Sequence, residues 1–186
     1  GEEISDLSPE NSIKNRVGLL TEDRKATGFV GSMNIEKNIT LARLDKIKSR
    51  LFISTKKERN LASEFYNKLN IKAPGLDTNI LTLSGGNQQK AVLAKWLMAD
   101  SRVLILDEPT RGIDVGAKVE IYKIMEELAW EGVAIIMVSS ELPELLAMCD
   151  RFVVLYKGKV RGEFNRDEIS EEVYMKAATG LTDIAG

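Results

Sequence analysis

Histidine is absent from all 186 residues, and cysteine occurs once. Without imidazole, most zinc sites and neutral-pH acid–base schemes are excluded, since these draw on the side chain that titrates near pH 7. The lone thiol, Cys149, cannot close an internal disulfide. It falls at helical spacing with Leu142, Leu145 and Leu146, so a buried small apolar residue is expected there. No apolar run is long enough to span a bilayer and no secretory signal is apparent, so the expected setting is cytoplasmic. The formal net charge of −2 leaves no electrostatic footprint for nucleic acid or an acidic membrane. What is present is a 44% hydrophobic chain of a length suited to one domain with its own core.

The most informative stretch is Val103-Leu104-Ile105-Leu106-Asp107-Glu108-Pro109-Thr110. Four apolar β-formers run into two adjacent carboxylates, and a proline stops the strand. Such a run reads as a parallel strand buried on both faces. Ligands of open α/β sheets sit beyond the carboxyl ends of the strands, which puts Asp107 where a carboxylate can hold Mg²⁺ directly or through water. Glu108, one residue on, points differently and could orient or deprotonate a water. Read alone, the same stretch could be a strand that ends in two solvated acids.

About twenty residues upstream, Leu83-Ser84-Gly85-Gly86-Asn87-Gln88-Gln89-Lys90 opens a segment with Val92, Leu93, Trp96 and Leu97 at helical spacing. Ser84 is a good N-cap, and Gly85 and Gly86 let backbone N–H groups approach an anion at the positive end of a helix. A plain turn before a helix would look similar. The rest of the chain alternates helix and strand. Arg16–Leu20 reads as a first strand, followed by the charged run Glu22 to Lys25. From Met33 to about Ala99 the pattern is helical, with Thr55-Lys56-Lys57-Glu58 as a capping box. Ile121, Ile124, Met125 and Leu128 share a helical face, Val133 to Val138 is a strand, and Lys157-Gly158 turns a hairpin.

Taken together, the glycine-led helix, the apolar strand, Asp107-Glu108-Pro109-Thr110 and Gly112-Ile113-Asp114 resemble ATP-binding-cassette (ABC) ATPases, from near Asn15 to the C-terminus. The Ser139-Ser140-Glu141-Leu142-Pro143-Glu144 and Asp114 to Lys118 runs, with the Glu22-Asp23-Arg24-Lys25 variant, resemble the second cassette of ribose/galactose-type monosaccharide importers. The resemblance implies an α/β, P-loop NTPase-like parallel sheet flanked by helices. Residues 1–22 and 100–186 would form the ATPase core, and residues 23–99 an inserted helical subdomain that docks on membrane permease subunits.

By that resemblance the cofactors are ATP and Mg²⁺, and the partners are the permease, a second cassette and no nucleic acid, at the inner face of the cell membrane. Asp107 would be the Mg²⁺-associated Walker B aspartate and Glu108 the water-activating glutamate. Ser84, Gly85 and Gly86 would bind the γ-phosphate of a nucleotide held mainly by the partner cassette, with Asn87 where the commonest signature has glutamine. Asp114 would communicate across the same interface, and Glu22 stands where the family has a glutamine that contacts Mg²⁺ and water. Without the family, the Glu22 run is a solvated turn, and the helical segment is an insertion packed on the sheet.

Two departures qualify this. No G-x-x-x-x-G-K-[ST] phosphate loop occurs in these residues, so the chain is expected to lack the Walker A strand, to be inactive alone and to show unpaired sheet edges. Ser140 occupies the position of the family's switch histidine; a hydroxyl can donate a hydrogen bond but cannot shuttle a proton as imidazole does. An ATP-hydrolysing importer subunit and a degenerate, signature-donating module both remain open. A DNA-repair or translation cassette would need a coiled-coil insertion or basic tails, which are missing.

Overall fold

The structure, a computed structural model, describes residues 8–180. The chain divides after Val138 into two compact units. The first begins with a short helix α1 (Pro9–Lys14), capped by Ser8 with proline in its first turn, and strand β1 (Val17–Leu20). A π-helical turn over Arg24–Gly28 follows. Helices α2 (Ile35–Thr40), α3 (Leu44–Ile47) and α4 (Thr55–Lys68) come next, with a two-residue-per-strand hairpin, β2 (Lys48–Ser49) and β3 (Phe52–Ile53), before α4. The expected helical stretch from Met33 to Ala99 therefore contains a small hairpin. Helix α5 (Gly85–Met98), strand β4 (Val103–Asp107), helix α6 (Val115–Trp130) and strand β5 (Ala134–Val138) complete the unit.

Strands β1, β4 and β5 form a parallel sheet in that order, with Leu20 opposite Leu106 and Asp107 opposite Val138. Among the described residues, β1 and β5 are the outer strands of this continuous sheet. Parallel strands need crossovers, and α6 supplies the one between β4 and β5. One face of the sheet is dry. Leu20, Leu104 and Leu106 are fully buried there, and Gly18 lets the Trp96 ring of α5 approach: a Cβ on it would meet Trp96 Cδ2 at 3.0 Å. The other face is open, with Leu19 46%, Ile136 54% and Val138 49% exposed. Strand β4 is thus buried on one face rather than two, because the apolar run supplies both faces with hydrophobes but only one receives a cover.

The helical segment has its own dry interior, built from Ile35, Ile39, Ile47, Ala62 and Ile80. Its caps follow the sequence with one shift. Asn34 caps α2 through Lys37 N, but α4 is capped by Ser54, whose Oγ accepts from Lys57 N, rather than by Thr55. The bond from Glu58 N to Ser54 O closes the first turn one residue earlier, and Glu58 turns inward to accept from the Thr40 hydroxyl at 3.0 Å.

The second unit comprises α7 (Leu142–Met148), an antiparallel hairpin of β6 (Arg151–Tyr156) and β7 (Lys159–Asn165), and α8 (Glu171–Thr179). Lys157 and Gly158 both have positive φ, as a two-residue hairpin turn of this twist requires. Phe152, Val154, Phe164 and Ala177 form its core, and Cys149 packs on it half-buried, its thiol pushed up by burial.

Candidate functional site

At the carboxyl end of β4 the chain turns sharply. Glu108 has φ +50°, which a non-glycine residue adopts only where its surroundings hold it. Its N–H donates to Val138 O at 2.9 Å and its carbonyl accepts from Arg111 N at 3.1 Å. Asp107 lies on the open face of the sheet, and both carboxylate-bearing residues sit where a parallel sheet presents its ligand-binding end.

The turn after β1 emerges at the same end, since Leu20 and Leu106 are in register. Asp23 caps it, its Oδ1 accepting from Lys25 N at 3.0 Å and Ala26 N at 3.1 Å. The Glu22 carboxylate pairs with the Arg111 guanidinium. Arg24 donates from Nη1 to Arg111 O at 2.8 Å, from Nη2 to Gly112 O at 3.3 Å and from Nε to Gln88 Oε1 at 3.4 Å. Burial lowers its pKa, an effect that neighbouring Asp23 partly offsets. A cleft of ≈ 280 Å³ opens here, lined by Glu22, Asp23, Arg24, Lys25, Arg111 and Gly112.

The start of α5 meets the same loop. A Cβ on Gly85 would lie 2.7 Å from Arg24 Nη2 and 3.0 Å from Gly112 O, and one on Gly86 would lie 2.5 Å from Ala117 Cβ. These two glycines permit close packing as well as open N–H groups. Ser84 stands at the N-cap position without a side-chain capping bond; its Oγ accepts from Asn87 Nδ2 at 2.9 Å, while Asn87 Oδ1 accepts from Lys72 N at 2.8 Å. Deeper in the helix, Gln89 Nε2 donates to Pro109 O at 2.7 Å, which ties α5 to the turn that carries Glu108. Lys90 is buried, donating to Glu120 Oε2 at 2.7 Å and Asn70 O at 3.0 Å. Hydrogen bonds from Lys72 and then Lys90 pull the Glu120 carboxyl down to about 2.

Asp114 caps α6, its Oδ1 accepting from Ala117 N at 2.9 Å. Around the loop of residues 111–114 the first unit brings Glu22, paired with Arg111, Glu108, whose carbonyl accepts from Arg111 N, and Gly85, beside Gly112 O, with Asp114 at the end of the loop. Ser84 and Gly86 flank Gly85, Gly86 facing Ala117, and Asp107 precedes Glu108 in the chain. Asn87 is turned to Ser84 and Lys72. Ser140 belongs to the second unit, two residues beyond β5, beside Ser139, whose Oγ donates to Glu144 Oε2 at 3.0 Å. Sequence reasoning missed Arg24, Gln89 and Arg111, whose side-chain partners lie 20 to 89 positions away in the chain. Arg24 figured only as part of the Glu22-Asp23-Arg24-Lys25 run, with no role assigned to its side chain.

A family model described as ABC transporter matches residues 1–111. A ribose import ATP-binding protein of Geobacillus kaustophilus is 47% identical over 180 residues, covering 97% of this chain and 36% of that protein. A xylose import ATP-binding protein of Moorella thermoacetica is 51% identical over the same shares. The chain thus spans about a third of the length of the sugar-import relatives it matches. Among solved structures, a dimeric post-hydrolysis state of an ATP-binding cassette bound to ADP and Pi matches with a TM-score of 0.71 at 19% identity, covering 87% of this chain and 68% of that one. A cassette of an ABC transporter matches with a TM-score of 0.75 at 17% identity, covering 97% and 72%.

Proposed function

The chain belongs to the ABC transporter family and has an α/β, P-loop NTPase-like fold, and on that premise we propose that it is part of an ATP-hydrolysing subunit that drives monosaccharide import. The observation that carries this reading is the convergence of the Asp107–Glu108 turn, the Glu22 turn and the Ser84–Gly86 turn on residues 111–114. The sugar-import relatives support the substrate class.

In this reading Asp107 contributes to holding Mg²⁺. Among the described residues no group of three or more His, Cys, Asp or Glu could cage a metal. A single strand-end carboxylate suits Mg²⁺ nonetheless, because that ion keeps its waters and is shared with substrate phosphates. The ion would offset the negative charge that spreads over the transferring phosphoryl group. Glu108 accepts the proton of the water that attacks the terminal phosphorus, and ADP departs with the electron pair of the broken P–O bond. Its fixed backbone turn aims the carboxylate without reorganisation. Glu22 orients the water, and Arg111 keeps that carboxylate at the site.

Ser84 and the N–H groups of Gly85 and Gly86 receive the γ-phosphate of a nucleotide bound mainly by a second cassette, with Asn87 fixing the Ser84 hydroxyl. Asp114 lies on the interface between the two cassettes. Ser140, a hydroxyl at the place in the sequence where the family has its switch histidine, can donate a hydrogen bond but moves no proton. Residues 23–99 act as the docking subdomain for membrane permease subunits, which would hold the subunit at the inner face of the cell membrane; no helix among the described residues could itself cross it. The 186 residues contain no phosphate loop, so they are inactive alone.

The serine at position 140 favours a second reading, in which this site is degenerate and the chain serves to donate its signature turn and dock the permease. ATP-driven sugar uptake by the complete subunit with its permease tests both. Loss of uptake in Glu108→Gln supports hydrolysis here, and unchanged uptake supports the degenerate module. A complete subunit that drives no sugar uptake at all would refute the importer reading.

A further inference from the structure

The Arg24 guanidinium is an unusual anchor. It carries a full charge, yet the atoms that accept its hydrogen bonds are neutral: the carbonyls of Arg111 and Gly112 and the side-chain amide of Gln88. Those three acceptors belong to two segments far from Arg24 in sequence. Only a planar fork with several donors can reach along two successive carbonyls and a third group at once. The guanidinium also fills the space beside Gly85, where any Cβ would strike Nη2.

The turn that carries Arg24 is held a second time on the same helix. Lys95 Nζ donates to Gly28 O, the last residue of the π-helical turn, at 2.6 Å. Gln88 and Lys95 lie seven residues apart on α5, so both ends of the turn are fastened along one helix face. π-Helical turns concentrate at functional sites, and this one begins two residues after Glu22.

We propose that Arg24 is a positioning residue: its forked hydrogen bonds hold Gln88, in the first turn of α5, and the carbonyls of Arg111 and Gly112 in one arrangement with the Glu22 turn. The inference rests on the hydrolytic reading above for its consequence, but not for its geometry. It requires that Arg24 act on the rate of hydrolysis and leave KM for MgATP nearly unchanged, since it touches two backbone carbonyls and the Gln88 amide rather than phosphate.

The test uses the complete subunit and the variants Arg24→Lys and Arg24→Ala. Lysine keeps the charge but loses the fork. Backbone amide hydrogen exchange over residues 84–88 and 111–114 should quicken in both variants. MgATP turnover should fall about tenfold or more in both, with KM within about twofold of wild type, as for misalignment remote from the reacting atoms. Unchanged exchange overturns the clamp, and so does wild-type turnover in Arg24→Lys. A KM that rises in step with lost turnover overturns it too, because it would make Arg24 a phosphate ligand. If the wild-type subunit hydrolyses no MgATP, the functional reading fails instead, and the exchange data alone decide whether the clamp exists.

Discussion

The two faces of the β1-β4-β5 sheet are made of the same kinds of residue and have opposite fates. Leu20, Leu104 and Leu106 are sealed under helices, while Leu19, Ile136 and Val138 stand about half exposed. Asp107 is on the open face, in register with Val138. The difference teaches that an apolar strand declares what it could bury, while neighbouring elements decide which face is buried. It also places the acidic end of β4 on the side of the sheet that carries an uncovered apolar surface.

The largest effect expected is on the dry face. Leu106→Ala should cost about 3 kcal/mol in denaturant unfolding, since the transfer loss and the cavity add. The same truncation at Ile136 should cost under about 1 kcal/mol, because solvent already fills the space. Equal costs would break the comparison.

Next comes Gly18→Val on the dry face. A Cβ there meets Leu104 Cδ2 and Ser101 Oγ at 2.9 Å, so overpacking should cost about 2 kcal/mol, read as a lowered melting temperature. A neutral substitution would mean that α5 sits less tightly on the sheet than its Trp96 contact implies.

A smaller effect comes from Lys95 on the covering helix, whose pKa burial lowers from 10.5 to about 8. The unfolded chain keeps this proton up to the higher value while the folded chain releases it at the lower. Between pH 8 and 10.5 the unfolded state therefore binds more protons, and stability rises with pH. Unfolding of wild type and Lys95→Met across that range should show the rise in wild type alone; a fall specific to wild type would contradict the burial. Smallest of all, Ile136→Ser on the open face should change stability by less than about 0.5 kcal/mol.

The sheet, the start of α5 and the strand that ends in Asp107 were legible because each is written in contiguous residues: an apolar run, a Ser-Gly-Gly turn, a helical stripe. Asp114 was named only through the family resemblance, and its capping of α6 through Ala117 N was not read from the sequence. The faces of β4 were not legible, since Val, Leu and Ile satisfy either environment. Neither was the shift of the α4 cap from Thr55 to Ser54, as either hydroxyl can serve and the inward turn of Glu58 toward Thr40 follows from tertiary packing. Arg24 escaped for a stronger reason. Its role consists of hydrogen bonds to carbonyls 87 and 88 positions away, and backbone acceptors leave no mark in the identity of the residues that provide them.

On the proposed reading, this chain supplies the carboxylate turn and the signature turn of a nucleotide site but no phosphate cradle. Calorimetric titration with MgATP, of the 186-residue chain and of the complete subunit side by side, tests it most directly. The account predicts micromolar binding by the complete subunit and none by the chain below the millimolar range. Micromolar binding by the chain alone would contradict it, since a nucleotide site would then form without a phosphate loop.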